Sequence, residues 1–207
     1  SELQALAEEM KAEGWQAEIL PLDITDLAAT EGAVAARPAF DVLVNSAGLA
    51  RHSPAVDTTP EDYDAVTKLN VRAAYFLTRS VAKGLLAAGK PGSLINITSQ
   101  MAHVGGIDRA VYSATKHAVE GMTKSMAIEW GPHGIRVNTI APTFIRTALT
   151  AQTFANPERA AWIASKIKLG RVGEVEDIMG AVAFLASDAA ALVTGTSLVV
   201  DGGWTAD

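Results

Sequence analysis

Short runs rich in valine and isoleucine alternate along the chain with longer stretches whose apolar residues recur at helical spacing. This alternation is typical of βαβ units, in which helices join parallel strands and cover the sheet. Strands are predicted over 16–22, 41–45, 93–98, 135–140 and 196–200, and helices over 3–13, 26–36, 61–88, 110–130, 157–167 and 174–186. Residues 1–207 are therefore predicted to form one α/β domain, with helices on both faces of a doubly wound parallel sheet.

Composition limits the partners that such a domain can have. The 207 residues carry 17 basic and 23 acidic side chains, and the net charge of -6 gives no reason to expect nucleic acid or an anionic membrane. No apolar run approaches the roughly 20 residues of a bilayer span, and the N-terminus is polar rather than signal-like. We expect a soluble, cytoplasmic protein that binds a small molecule.

Metal and thiol chemistry are not expected. The chain has no cysteine, which excludes disulfides, thiolate zinc sites, iron–sulfur clusters and cysteine nucleophiles. The four histidines, His52, His103, His117 and His133, show no ligand-like pairing.

Distinctive polar residues follow four of the predicted strands. Asp23 follows the first, Asn45–Gly48 the second, Ser99 the third and Pro142-Thr143 the fourth. In an open parallel sheet, ligands bind beyond the carboxyl ends of the strands, so these residues are candidates for one site. Each could also be an ordinary turn or helix-cap residue.

Tyr112 and Lys116 form the sharper signal. They are four residues apart in a predicted helix, so both side chains project from one face. A free phenol has a pKa of about 10, and a neighbouring ammonium would favour the phenolate and lower that value. Such a pair could exchange a proton with an alcohol or ketone oxygen, although the same spacing also occurs in solvated surface pairs.

Taken together and in order, these motifs resemble those of the short-chain dehydrogenase/reductase family. The resemblance is carried by Asn45-Ser46-Ala47-Gly48, Asn70, Ser99, Tyr112-x-x-x-Lys116, Ala141–Thr147, Leu169–Gly173, Phe184–Asp188, Thr194-Gly195 and Val200–Gly203. It implies a nicotinamide-dependent oxidoreductase that interconverts a secondary alcohol and its ketone.

The resemblance also implies catalytic roles. Tyr112 would be the general acid in reduction and the general base in oxidation, and Lys116 would lower its pKa and hold the nicotinamide ribose. Ser99 would hydrogen-bond the substrate oxygen. Asn70 would help to hold a water that links the lysine to solvent.

A cofactor site is implied in the same way. Asp23 would contact the adenine ring, Asn45–Gly48 would line the cofactor groove, and Ile145 and Thr147 would hold the carboxamide. The residues expected at the cofactor are Asp23, Ile24, Asn45, Ser46, Ala47, Gly48, Tyr112, Lys116, Pro142, Thr143, Ile145 and Thr147. The cofactor can be NAD or NADP, because the residue that discriminates between them in the resembling family lies before Ser1. Of the two, NAD is favoured.

The substrate is expected to be a small sugar, polyol or related carbonyl compound. Gln100, His103 and Phe144 are candidate substrate contacts, with core packing as the alternative for the aromatic ring. A 3-oxoacyl thioester reductase is an alternative function, but the sequence shows no basic cluster for an acidic carrier protein. An inactive binding or structural subunit is another, although it would not explain why Asn70, Ser99, Tyr112 and Lys116 are all present.

Two departures from the family pattern matter. Thr143 stands where the family usually has glycine, and a β-branched residue is poorly suited to positive φ. The glycine-rich Thr-Gly-x-x-x-Gly-x-Gly turn of the first strand is absent. We therefore expect that the natural protein extends upstream of Ser1, that the first βα unit is lacking here, and that this chain alone does not hold a dinucleotide tightly.

Assembly is predicted as well. In the resembling family, the helices that correspond to 61–88 and 110–130 build a four-helix dimer interface, and the C-terminal strand and tail build another. A homotetramer is the expectation.

Overall fold

The computed structural model describes residues 2–147 and 150–206. Its sheet has four parallel strands, which lie side by side in chain order: β1 (Val42–Asn45), β2 (Gly92–Ile97), β3 (Ile135–Pro142) and β4 (Ser197–Val200). The helices are α1 (Glu2–Ala12), α2 (Leu27–Ala35), α3 (Pro60–Thr67), α4 (Ala74–Ala88), α5 (Ala110–Trp130), α6 (Ala151–Phe154), α7 (Pro157–Lys166) and α8 (Glu176–Ala186). Because neighbouring strands are parallel, every connection crosses over the sheet, as the sequence predicted.

Apolar side chains on both faces of the central strands hold the layers together. Leu94 on β2 packs with Leu85 of α4 and Met126 of α5, whereas the next residue, Ile95, packs with Leu185 of α8. Successive side chains of a strand point to opposite faces, so a continuous apolar run such as Leu94-Ile95 binds helices on both sides. The doubly wound, Rossmann-like arrangement is therefore confirmed.

Local capping fixes where helices begin. The Asp26 carboxylate accepts a hydrogen bond from the Ala29 amide at the start of α2, and Thr59 accepts one from Asp62 ahead of Pro60. The predicted helix over 61–88 is confirmed as α3 and α4, joined by a π-helical segment, Lys68–Ala73. Within the described residues, no helix is both long and apolar enough to cross a membrane.

The strand predicted over 16–22 is wrong. Across residues 2–147 and 150–206, no strand pairing includes residues 16–22. An apolar run favours a strand only where a neighbouring backbone completes the hydrogen-bond ladder, and this segment has none beside it. The short helix α6 was missed because four residues are too few to show helical periodicity.

Candidate active site

The carboxyl ends of β2 and β3 and the start of α5 meet at one cavity of about 530 Å³. Ser99 follows β2, Thr143 follows β3, and Tyr112 is the third residue of α5, so three of the residues predicted for catalysis or cofactor binding line this cavity. The full lining is Ala50, His52, Ser99, Gln100, Met101, Arg109, Tyr112, Thr143, Phe144, Thr150, Thr153, Asn156 and Arg159. Parallel strands bring their carboxyl ends to one edge, which is why residues far apart in sequence converge here.

Tyr112 and Ser99 interact directly in this cavity. Burial raises the pKa of Tyr112 above its ordinary value of 10.0, and a hydrogen bond with Ser99 and the positive charge of Arg109 oppose that rise. The net direction is opposite to the one expected from Lys116, because loss of hydration outweighs the nearby charges. In this structure the phenol is therefore held protonated, the form needed to donate a proton to a ketone.

Lys116 lies one turn beyond Tyr112 on the same face of α5. Its Nζ donates a hydrogen bond to the Ile97 carbonyl at 3.0 Å and lies 5.5 Å from the centroid of the Tyr112 ring. Burial lowers the pKa of Lys116 to about 8, while the carboxylate of Glu120 acts in the opposite direction. The lysine is thus a buried cation at neutral pH, poised close to its titration.

Asn70 occupies the π-helical segment between α3 and α4 and is almost fully buried. Its amide both donates to the Leu49 carbonyl and accepts from the Leu49 amide at 2.8 Å, and it also donates to Thr115 at 3.2 Å. A Cβ on Gly48 would lie 3.7 Å from Lys116 Nζ and 3.8 Å from Asn70 Oδ1. The Asn45–Gly48 turn, Asn70 and Lys116 are therefore brought together, as π-helical insertions often do at functional sites.

Glu120 is a buried carboxylate that sequence reasoning missed. It lies one turn beyond Lys116 and accepts hydrogen bonds of 2.8–3.0 Å from Thr98, Thr139 and Ser197. These hydroxyls come from the residue that follows β2, from β3 and from β4, so one carboxylate ties α5 to the sheet at three places. Continuation of the four-residue spacing from Tyr112 through Lys116 was the signal that could have found it.

The residues proposed for the cofactor are placed in three groups. Asn45 is buried and donates to Asn96 Oδ1 at 2.9 Å, while Ser46, Ala47 and Gly48 form the exposed turn that follows it. Asp23 is exposed and accepts from the Thr25 amide at 2.9 Å, and Ile24 follows in the same turn. This contact is the one that an aspartate makes in an ordinary turn, which was the alternative interpretation of Asp23.

The third group follows β3. Pro142 is its last residue, and the Thr143 amide donates to Val200 at 3.1 Å. Among the described non-glycine residues, Asp108 is the one with positive φ, so Thr143 avoids the conformation that glycine would have provided. Ile145 bridges to Gly173, and the Thr147 amide donates to Thr150 Oγ1 at 2.9 Å.

The three candidate substrate residues are placed differently from one another. Gln100 lines the cavity and accepts from Ser99 Oγ at 2.8 Å, and Phe144 lines it while packing against Trp204. His103 is not among the cavity-lining residues, and its Nε2 lies 2.9 Å from Ser197 Oγ. Sequence reasoning missed His52, Arg109, Asn156 and Arg159, because segments distant in sequence carry no periodic signal of their shared location.

Polar atoms in the cavity lining and next to it fit a nicotinamide cofactor. The Lys116 ammonium has three donors, and in the described part of the chain Ile97 is its one hydrogen-bond acceptor. Thr143 Oγ1 is buried without a hydrogen-bond partner among the same residues. No group of three metal-ligating side chains occurs in residues 2–147 and 150–206. A parallel sheet with polar strand ends, a tyrosine–serine pair and a buried lysine defines a dinucleotide-dependent oxidoreductase.

The chain belongs to the short-chain dehydrogenase/reductase family. A family model described as enoyl-(acyl carrier protein) reductase matches residues 1–205. D-erythrulose reductase of Gallus gallus is 40% identical over 187 residues, which are 90% of this chain and 76% of that protein. The chain is an NAD(P)-dependent oxidoreductase of secondary alcohols and ketones.

Two solved structures share this fold closely. A gluconate 5-dehydrogenase from Burkholderia cenocepacia J2315, in complex with NADP and tartrate, is 34% identical with a TM-score of 0.94, covering 98% of this chain and 81% of its own. A 4-hydroxyisoleucine dehydrogenase complexed with NADH is 34% identical with a TM-score of 0.87, covering 92% of this chain and 80% of its own. Both nicotinamide cofactors occur among such neighbours, so the cofactor is NAD or NADP.

Proposed function

We propose that the substrate is a small polyhydroxylated compound, a sugar, polyol or sugar acid, whose secondary alcohol is interconverted with a ketone at the Ser99–Tyr112 cavity. The observation that carries the proposal is the joint placement of Ser99 and Tyr112 on one cavity wall, with Lys116 and Asn70 behind it. Relatives named D-erythrulose reductase and gluconate 5-dehydrogenase act on compounds of this class.

In this proposal each side chain has a separate task. The Tyr112 hydroxyl donates its proton to the carbonyl oxygen in reduction, and its phenolate takes the alcohol proton in oxidation. Ser99 donates a hydrogen bond to the same oxygen and stabilises the charge that develops on it. Lys116 and the Asn45–Gly48 turn would hold the nicotinamide nucleotide, which, when bound, supplies or takes up the hydride. Asp23, Ile24, Ile145 and Thr147 complete the proposed cofactor contacts.

Turnover of a substrate panel tests the proposal. The full-length protein should oxidise or reduce at least one sugar, polyol or sugar acid, followed by nicotinamide absorbance with NAD and NADP in parallel. A preference for NAD and a cytoplasmic location remain predictions, and a 3-oxoacyl thioester reductase is the alternative function. Turnover confined to 3-oxoacyl esters, or none with any compound under either cofactor, would contradict the proposal.

We propose that copies of this chain assemble as a homotetramer and that α3, α4 and α5 contribute to one interface. A groove of about 660 Å³ runs between α3, the π-helical segment and α5. Its α5 side presents the small, exposed residues Ala114 and Ala118 one turn apart, and Tyr63 stands half exposed on α3. Small residues let two helices approach closely, so a second copy is the proposed occupant.

Substitution Ala118→Arg should break this interface, because a long cation would fill the groove. Light scattering should then return a smaller mass than that of the unsubstituted protein, with the folded state retained by circular dichroism. Lys124→Gln, on the exposed surface of the same helix, is the control. A monomer mass for the unsubstituted protein at micromolar concentration would rule the assembly out.

A further inference from the structure

Two arginines line the active-site cavity together with Ser99 and Tyr112. Arg109 immediately precedes α5, and Arg159 lies in the first turn of α7, so two separate elements bring their guanidinium groups to one space. The Arg109 guanidinium lies 5.4 Å above the centroid of the Phe144 ring and contacts Nε2 of His52. The cavity is therefore lined by two cationic side chains that have no assigned task in the proton transfer described above.

Asp108 lines a neighbouring pocket together with Arg109 and Arg159, but it does not line this cavity. Its lining among the described residues includes no aspartate or glutamate. Five arginines are paired with carboxylates, for example Arg171 with Asp177 and Arg146 with Glu174, whereas no described ion pair includes Arg109 or Arg159. Two like charges in a partly desolvated space repel each other unless an anion joins them.

The two arginines also lower the pKa of neighbouring groups. The pKa of His52 falls from 6.5 to about 4, through burial first and then through Arg109 and Arg159. The pKa of Arg109 is lowered by burial and then by Arg159. Asp108 opposes both shifts and Tyr112 also opposes the shift of Arg109, each with a smaller effect than that of Arg159. His52 is consequently neutral at pH 7 and adds no charge of its own.

The helix ends at which the two arginines lie further disfavour their positive charges. The N-terminus of a helix carries partial positive charge, which disfavours a nearby cation and favours an anion. Arg109 and Arg159 both stand at helix N-termini, where a cation without an anionic partner is poorly placed. An arginine fork matches the two oxygens of a carboxylate, and two forks side by side suit one carboxylate well.

We infer that Arg109 and Arg159 bind a carboxylate of the substrate, so the enzyme acts on sugar acids rather than on neutral sugars or polyols. This inference rests on the proposed function, because it assumes that the cavity takes a polyhydroxylated substrate. In oxidation, the substrate loses a hydride from its carbinol carbon to the nicotinamide and its hydroxyl proton to Tyr112. The carboxylate is unchanged and serves to hold the molecule in place.

Matched aldonate and alditol pairs test the inference, for example D-gluconate against D-sorbitol, which replaces the carboxylate with a hydroxymethyl group. The unsubstituted enzyme should have the higher kcat/KM for the aldonate. Arg159→Gln should raise KM for the aldonate about 10- to 100-fold, as expected for a charged hydrogen bond, and leave the constants for the alditol within a few-fold. Arg109→Gln should add a loss common to both compounds, because Arg109 also acts on Tyr112.

Arg79→Gln is the matched control, since Arg79 is near Glu31 on α2 and does not line the cavity. Calorimetric titration with D-gluconate and D-sorbitol gives a second readout that needs no turnover, and Arg159→Gln should weaken binding of gluconate alone. Higher kcat/KM for the alditols, or equal effects of Arg159→Gln on both members of each pair, would overturn the inference and leave the proposed function standing. If no pair is turned over, the proposed function fails, and the calorimetric comparison still decides the inference.

Discussion

Replacing Tyr112 with phenylalanine is expected to reduce kcat by about 10²- to 10⁴-fold in both directions, the range that a positioned acid or base contributes. The change removes the hydroxyl that exchanges the proton and keeps the ring that packs in the cavity wall. Affinity for the nicotinamide cofactor should stay within a few-fold. Steady-state kinetics in both directions, with cofactor binding measured by fluorescence titration, would check both parts.

The exposed Tyr75 on α4 provides the matched control. Tyr75→Phe deletes the same atom at a position outside the cavity and should leave kcat unchanged. A Tyr112→Phe variant that keeps more than a tenth of the activity would remove Tyr112 from its proposed role.

The pH dependence of the unsubstituted enzyme follows from the raised pKa of Tyr112. Reduction needs the protonated phenol, which is the main form throughout the neutral range, so its rate should vary little there. Oxidation needs the ionised phenol. As long as the pH is below the pKa, the ionised fraction increases about tenfold for each unit by which the pH rises. The ratio of the oxidation rate to the reduction rate should therefore rise with pH in the unsubstituted enzyme. In Tyr112→Phe the ratio should not rise in this way.

The fold could be predicted where periodicity was strong. Strands β1 to β4 and the long helices carry clear apolar patterns, and their boundaries fell within a few residues of the prediction. The segment 16–22 failed because a strand depends on a neighbouring backbone, which no local pattern encodes. The π-helical segment around Asn70 was also invisible, because one altered turn barely disturbs the spacing of apolar residues.

The site could be predicted only where a motif carried it. Ser99 and Tyr112 share the cavity as the resemblance implied, yet the direction of the Tyr112 pKa could not be read from its spacing to Lys116. That direction depends on how much water the fold removes, which is a property of the packed structure. Arg109 and Arg159 escaped notice for a related reason, since their shared cavity exists only after α5 and α7 have packed.

Lys116→Met is expected to abolish most turnover, to weaken cofactor binding and to make the folded protein more stable. Methionine keeps a similar length without the ammonium that would hold the ribose and act on Tyr112. Kinetics, cofactor titration and urea unfolding on the same samples would measure the three effects. Unchanged cofactor affinity would show that the ribose contact is wrongly assigned.

The gain in stability follows from the buried charge. The pKa of Lys116 is lowered from 10.5 to about 8, mainly by burial, so folding disfavours its charged form. At about 1.4 kcal/mol for each pKa unit, the buried charge lowers the free energy of unfolding by roughly 3 kcal/mol at neutral pH. Loss of the hydrogen bond to Ile97 destabilises the variant by about 1 kcal/mol, so its net gain in the free energy of unfolding is about 2 kcal/mol.

The sign of the pH dependence makes this prediction specific. Below about pH 8 the lysine is charged in both the folded and the unfolded chain, and its full cost is present. Between about 8 and 10.5 the unfolded chain binds more protons than the folded one, so the unsubstituted protein gains stability as pH rises. The stability difference between Lys116→Met and the unsubstituted protein should therefore shrink across that window. Lys124→Met, at an exposed position on the same helix, should show no such trend, and an equal trend in both variants would contradict the assignment of a buried, low-pKa lysine to position 116.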